Sequence, residues 1–121
     1  MKVIRRGEAL GEGEAGSENM FSGDVSMHSV HRIEEQAGIS VVRFQRGART
    51  HWHSHSGGQV LHVIEGSGQV QSWGEEVRDI APGDFVVADP DEKHWHGAAE
   101  GADMAHISIA IGGVEWMEPV T

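Results

Sequence analysis

Short apolar runs broken by turn-forming residues recur about every ten residues through most of the chain, which predicts an all-β sandwich or barrel. "ISVVRFQ" (39–45) is followed by "RGAR", "QVLHVIEG" (59–66) by "SG", and "QVQSWG" (69–74) by "EE". Further on, "VRDI" (77–80) meets "APGD", "FVVAD" (85–89) meets "PDEK", and "MAHISIAI" (104–111) meets "GG". No stretch of useful length carries a capped apolar stripe at the 3.6-residue period, so little helix is expected. No internal repeat of solenoid length is present.

The beginning of the chain reads differently. Residues 7–19, "GEALGEGEAGSEN", hold glycine and glutamate with almost nothing to bury. They are expected to form a loose arm after a short strand near Val3–Arg6. This divides the chain into an N-terminal strand and arm (1–20) and a barrel domain (21–121).

Several of the runs are apolar on both faces. In "QVLHVIEG", Leu61 and Val63 share one side while Val60 and Ile64 share the other. In "MAHISIAI", Ile107, Ile109 and Ile111 make a side of their own. A barrel standing alone keeps its outer face polar. A second sheet layer or another subunit must therefore cover these residues, and a homodimer or higher homo-oligomer is expected.

Composition narrows the class. A chain of 121 residues, 38% hydrophobic, has the size and content of a single globular domain. No apolar run is long enough for a transmembrane helix, so no membrane partner is expected. "MKVIRRGEAL" has basic residues with no apolar stretch after them, unlike a secretory signal. With no cysteine there is neither disulfide nor thiolate chemistry, and a cytoplasmic location is expected. The net charge of −10, unrelieved by any Lys/Arg cluster, would repel DNA or RNA.

The most unusual feature is the histidine content. Five of the nine histidines fall in two knots, "HWHSH" at 51–55 and "HWH" at 94–96. Residues two apart in a strand point the same way. His53 and His55 then project together, and Gln59 returns to the same spot across the Ser56-Gly57-Gly58 bend. His94 and His96 form a second pair, and antiparallel pairing brings the two knots face to face.

These residues carry a resemblance. "GARTHWHSHSGGQVLHVIEG" is similar to the first cupin motif at Gly47, His53, His55, Gln59 and Gly66, and "APGDFVVADPDEKHWHGA" to the second at Pro82, Gly83, Asp84, Pro90 and His94. The run "GARTHWHSH", the "EKHWHGAA" block, "FSG" near residue 21 and the C-terminal "EWME" resemble the bacterial cupin-type hydroxynitrile lyases. Those are small manganese cupins that cleave cyanohydrins to an aldehyde and cyanide and make them in reverse. The resemblance implies a double-stranded β-helix (jelly-roll barrel). It also implies one divalent metal per chain, held by His53, His55, Gln59 and His94. Many cupins have glutamate where Gln59 stands, and the lyase-like group has glutamine.

Three imidazoles and one amide are all neutral, so an ion they hold keeps its full charge and acts as a strong Lewis acid towards a hydroxyl or carbonyl oxygen. Four ligands on a six-coordinate metal leave two positions open. Manganese is the first choice, with iron, nickel or zinc as alternatives. His106 lies on the mixed face of its strand with Met104, Ser108 and Ala110, a face expected to line the cavity. It is the candidate base for a substrate hydroxyl. His96 shares the inward face of His94 and is the second candidate catalytic residue. Val42, Phe44 and Ser40 are candidate cavity lining. Trp52 and Trp95 are expected to be packing anchors, His51 exposed, and His62 on the surface or in an interface.

The function expected is that of a metal-dependent cupin acting on a small hydroxyl or carbonyl compound, with cyanohydrin cleavage and synthesis as the specific candidate. A quercetinase-like dioxygenase and a non-catalytic metabolite-binding cupin are the alternatives.

Overall fold

The computed structural model describes all 121 residues. It contains one helical turn, α1 (Arg6–Ala9), and thirteen strands. They are β1 (Glu14–Ala15), β2 (Phe21–Ser22), β3 (Val25–Ile33), β4 (Ala37–Phe44), β5 (Arg49–Thr50), β6 (His53–His55), β7 (Gln59–Gly66), β8 (Gly68–Ser72), β9 (Arg78–Ile80), β10 (Phe85–Ala88), β11 (His94–Ala98), β12 (Met104–Ile111) and β13 (Val114–Trp116). All pairings are antiparallel, and they make two sheets. The first runs β1-β3-β4-β12-β7-β10. The second runs β13-β6-β11-β5-β2, with β8 also on β11 and β9 on β8.

Side-chain alternation sets what lies between the sheets. On β7, Gln59, Leu61 and Val63 are buried while Val60, His62 and Ile64 are only partly covered. β12 places Met104, His106 and Ser108 inward in the same way. Phe21, Val42, Phe44, Val63, Val70, Ile80 and Met104 pack into the apolar core. Phe44 is its boundary, with its ring centre 6.0 Å from that of His96 and 5.2 Å from that of His106. Beyond that ring the interior changes from aliphatic to imidazole.

The N-terminal region departs from expectation. Val3–Arg6 forms no strand; the backbone turns helically at Arg6–Ala9, where the N–H groups of Glu8 and Ala9 donate to the Arg5 carbonyl. Val3 is exposed and joins no strand, and Glu and Ala favour the helical turn. The arm itself carries β1, which pairs with β3 at Glu14↔Met27 and Ala15↔Ser26. Such edge pairing uses backbone groups, so the arm needs no apolar side chains to make it. The nine-residue β3, "VSMHSVHRI", also joins the sheet, although its polar content gave no strand signal.

One glycine conformation matters for the site. Gly58 has φ of +90°, and a Cβ there would lie 2.7 Å from the Ala88 carbonyl oxygen. Only glycine adopts that backbone without strain. It turns the chain from β6 into β7 and so brings Gln59 beside the β6 histidines.

Candidate metal centre

Three elements bring the polar side chains together. His53 and His55 come from β6, Gln59 opens β7, and His94 and His96 come from β11. β6 and β11 pair directly at His53↔His94, so the two knots face each other as the spacing implied. The ring centres of His53 and His94 are 4.4 Å apart, those of His53 and His55 5.1 Å, and those of His55 and His94 6.0 Å. All five side chains are buried.

Hydrogen bonds behind the rings fix which nitrogen faces inward. His53 Nδ1 is 2.8 Å from the His51 carbonyl oxygen, and His94 Nδ1 is 2.8 Å from that of Glu92. A carbonyl only accepts, so both Nδ1 atoms carry the proton and both Nε2 atoms keep a lone pair. That is the orientation in which metal-binding imidazoles are held. Glu92 is itself anchored. Its carboxylate accepts from the Ser72 hydroxyl and the Asp89 backbone N–H. Those hydrogen bonds, the Ser72 one foremost, hold its carboxyl below the usual range.

Gln59 is fixed from the other side, its Nε2 donating to Ser108 Oγ at 2.9 Å. This orientation leaves Gln59 Oε1 2.9 Å from His94 Nε2. Two acceptors then face each other at hydrogen-bonding distance, an arrangement that a cation relieves. Neither nitrogen of His55 has a partner, although both are buried, and His96 Nε2 is likewise unpartnered. Unmatched buried polar atoms are costly unless something binds them. The donor set is neutral, convergent and unsatisfied, and it fits a divalent ion. Ligand atoms of His53, His94 and His96 already lie within 4.8 Å of one another.

His96 and His106 form a second unit. His106 Nε2 is 2.9 Å from His96 Nδ1, and His106 is fully buried. Burial, above all, lowers the imidazole pKa throughout: to about 3 for His53, to about 4 for His55 and His106, and below the usual range for His94 and His96. Neighbouring imidazoles add to the effect at His53, His55 and His96, because a second positive charge there would be repelled. The cluster is therefore neutral at ordinary pH, which is the form that binds metal.

A cavity of about 240 Å³ opens beside the cluster, lined in part by His53, His55, Gln59 and His96. His106 is not on its wall and stands behind His96, so the expectation that it faces the cavity is corrected. Ser40 and Val42 do line the cavity, whereas Phe44 lies in the core. His51 was expected to be exposed and is buried instead, its carbonyl orienting His53. Trp52 and Trp95 are buried as packing anchors, and His62 lies on the outer face with its ring stacked on Phe85 at 4.2 Å. Several lining residues were not singled out from the sequence: Met20, Met27, Arg32 and Trp116. Trp116 pairs with His53 across β13 and β6, its ring centre 4.6 Å from the imidazole. No local pattern announces such a pairing, because it joins residues 63 positions apart in sequence.

Two facing antiparallel sheets with a histidine cluster between them define a small β-barrel with a candidate metal centre. Residues 40–110 match the cupin domain, and the chain belongs to that family. It is 41% identical over 128 residues to an (R)-mandelonitrile lyase from Granulicella tundricola, covering 100% of this chain and 95% of that protein. A crystal structure of a cupin-like protein from Thermotoga maritima superposes with a TM-score of 0.89 at 39% identity, over 93% of this chain and 90% of that one. A predicted oxalate decarboxylase from the same organism shares the fold, with a TM-score of 0.78 at 23% identity over 93% and 100% of the two chains.

Proposed function

We propose that this cupin is a manganese-dependent enzyme that cleaves and forms cyanohydrins of small aldehydes, with His53, His55, Gln59 and His94 as metal ligands. The observation that carries the proposal is the convergence of buried neutral donors beside a largely apolar cavity, with His55 left without a partner and Gln59 Oε1 set against His94 Nε2. The full-length likeness to an (R)-mandelonitrile lyase supports the choice of reaction.

A bound divalent ion would supply Lewis acidity to the oxygen of the substrate. The chain's own residues do the rest. Met20, Met27, Val42 and Trp116 hold the apolar body of the substrate and limit water. His96 presents Nε2 to the centre and accepts the hydroxyl proton there, while His106 holds its other nitrogen and fixes the ring. As the carbon–cyanide bond breaks, its electron pair leaves with cyanide. The imidazolium then returns the proton, giving aldehyde and hydrogen cyanide. In the synthetic direction the same groups act in reverse order.

The decisive experiment is cyanide release from mandelonitrile. Manganese-loaded protein is expected to exceed the buffer rate, chelation to abolish the excess, and added manganese to restore it. No release above buffer from the loaded protein defeats the proposal.

A homodimer completes it. Phe85 and Val87 are 68% and 67% exposed on the outer face of the first sheet, alongside the partly covered Val60, Ile64, Ile107 and Ile109. A second copy laid on this face would remove that apolar surface from water.

A further inference from the structure

Arg32 stands next to the end of β3, where its register partner is Gly38 on β4. Gly38 pairs in turn with Ala110 on β12, and Ala110 with Gln59 on β7. One row across four neighbouring strands thus runs from a guanidinium to a proposed metal ligand. Strands in a sheet lie about 4.8 Å apart, so the ends of the row are about 14 Å apart along the backbone. The Arg32 side chain shortens that gap by leaning over Gly38. One of its terminal nitrogens lies 2.8 Å, and Cζ 3.7 Å, from where a Gly38 Cβ would stand. Arg32, Gly38, Ala110 and Gln59 all line the same cavity. The two middle residues have the smallest side chains available, so the space between guanidinium and amide stays open.

The charge at the end of this row is free. Arg32 makes no side-chain hydrogen bond, and the one ion pair in the molecule is Lys93–Glu118. No aspartate or glutamate lines the cavity, although the chain holds 19 acidic residues against nine basic ones. Of the other arginines, Arg43 meets the Gly11 carbonyl and Arg49 lies over the Trp95 ring, and none but Arg32 lines this cavity. Arg32 is itself exposed, but it lies on the lining of the same cavity as the histidines, with only Gly38 and Ala110 in the row between it and Gln59.

We propose that Arg32 binds a carboxylate at the far end of the natural substrate while the oxygen at its reacting end reaches the His53, His55, Gln59 and His94 centre. The site then selects an aldehyde or cyanohydrin that carries an anionic group remote from the reacting carbon. A planar carboxylate can take two N–H donors of the guanidinium at once, which fixes orientation as well as adding affinity. The proposal rests on the metal-centred reading above, and the two are separable by experiment.

The probes are 4-formylbenzoate and 4-formylbenzamide, alike in shape and different in charge. Their binding is measured by calorimetry at low ionic strength to the wild-type protein, Arg32→Gln and Arg32→Lys, each manganese-loaded and each after chelation. The wild type is expected to prefer the carboxylate about tenfold. Arg32→Gln should bring the two probes within about twofold of one another, and Arg32→Lys should keep part of the preference. Metal removal should weaken both probes together and leave their ratio unchanged. Equal binding of the probes by the wild type overturns the proposal. So does failure of 4-formylbenzoate to bind, or a preference that survives in Arg32→Gln and vanishes on chelation, which would mean the carboxylate sits on the metal. If chelation weakens neither probe, the metal-centred reading fails, and the ratio still reports on Arg32.

Discussion

Ser108 Oγ lies 2.9 Å from Gln59 Nε2 and sets the amide so that its oxygen faces His94. An amide is a weak ligand that can present either oxygen or nitrogen, so the hydroxyl behind it decides which. Ser108→Ala should therefore weaken metal binding about tenfold, the usual size of losing such a supporting hydrogen bond. Competition against a chelator of known affinity checks this. Unchanged manganese affinity in the variant would mean that the Gln59 oxygen is not a ligand.

The His96–His106 contact predicts a division of labour. His106→Ala should lower kcat for cyanohydrin cleavage by a factor of about 100 or more, with KM and bound manganese changed little. His106→Asn, which can still donate or accept a hydrogen bond to His96 Nδ1, should recover part of the loss. Loss of metal in both variants, seen by elemental analysis, would instead make His106 a structural prop.

Acid should destabilise the metal-free protein. Burial lowers the pKa of His53 to about 3 and of His55 and His106 to about 4, against about 6.5 in an unfolded chain. Between those values the unfolded state binds more protons than the folded one, so stability falls as the pH falls. Each such histidine removes about 1.4 kcal/mol per pH unit once its unfolded form is charged. Melting of the chelated protein should change little between pH 7 and pH 8 and then drop steeply from pH 6.5 towards pH 4. A melting temperature that holds or rises on acidification contradicts the neutral buried cluster.

Phe85→Asp tests the dimer. Phe85 pairs with His62 and lies on the outer face, where it fills no core space. The substitution should halve the mass seen by light scattering while leaving the far-ultraviolet circular dichroism as it was. A monomer mass for the wild type at micromolar protein would remove the prediction at its root.

Much of this was legible in the residues themselves. The runs at 39–45, 59–66, 85–89 and 104–111 became β4, β7, β10 and β12, because alternation and β-branched content are local properties that two packed sheets preserve. The convergence of His53, His55, Gln59 and His94 was legible too, since two-residue spacing and the Gly58 bend leave few other outcomes. β3 and β1 gave no such signal. Their stability comes from backbone pairing with neighbours that the local sequence does not specify.

The sequence by itself determined the β architecture, the gathering of imidazoles and the neutrality of the donor set, all of which follow from residue type and spacing. Only the tertiary structure decided which side chains face the cavity. It put His96 on the wall with His106 behind it, brought Trp116 against His53, and stretched Arg32 over Gly38 towards the same space. The physical reason is that strand register joins residues far apart in the chain, and register is set by the packing of two whole sheets rather than by any segment alone.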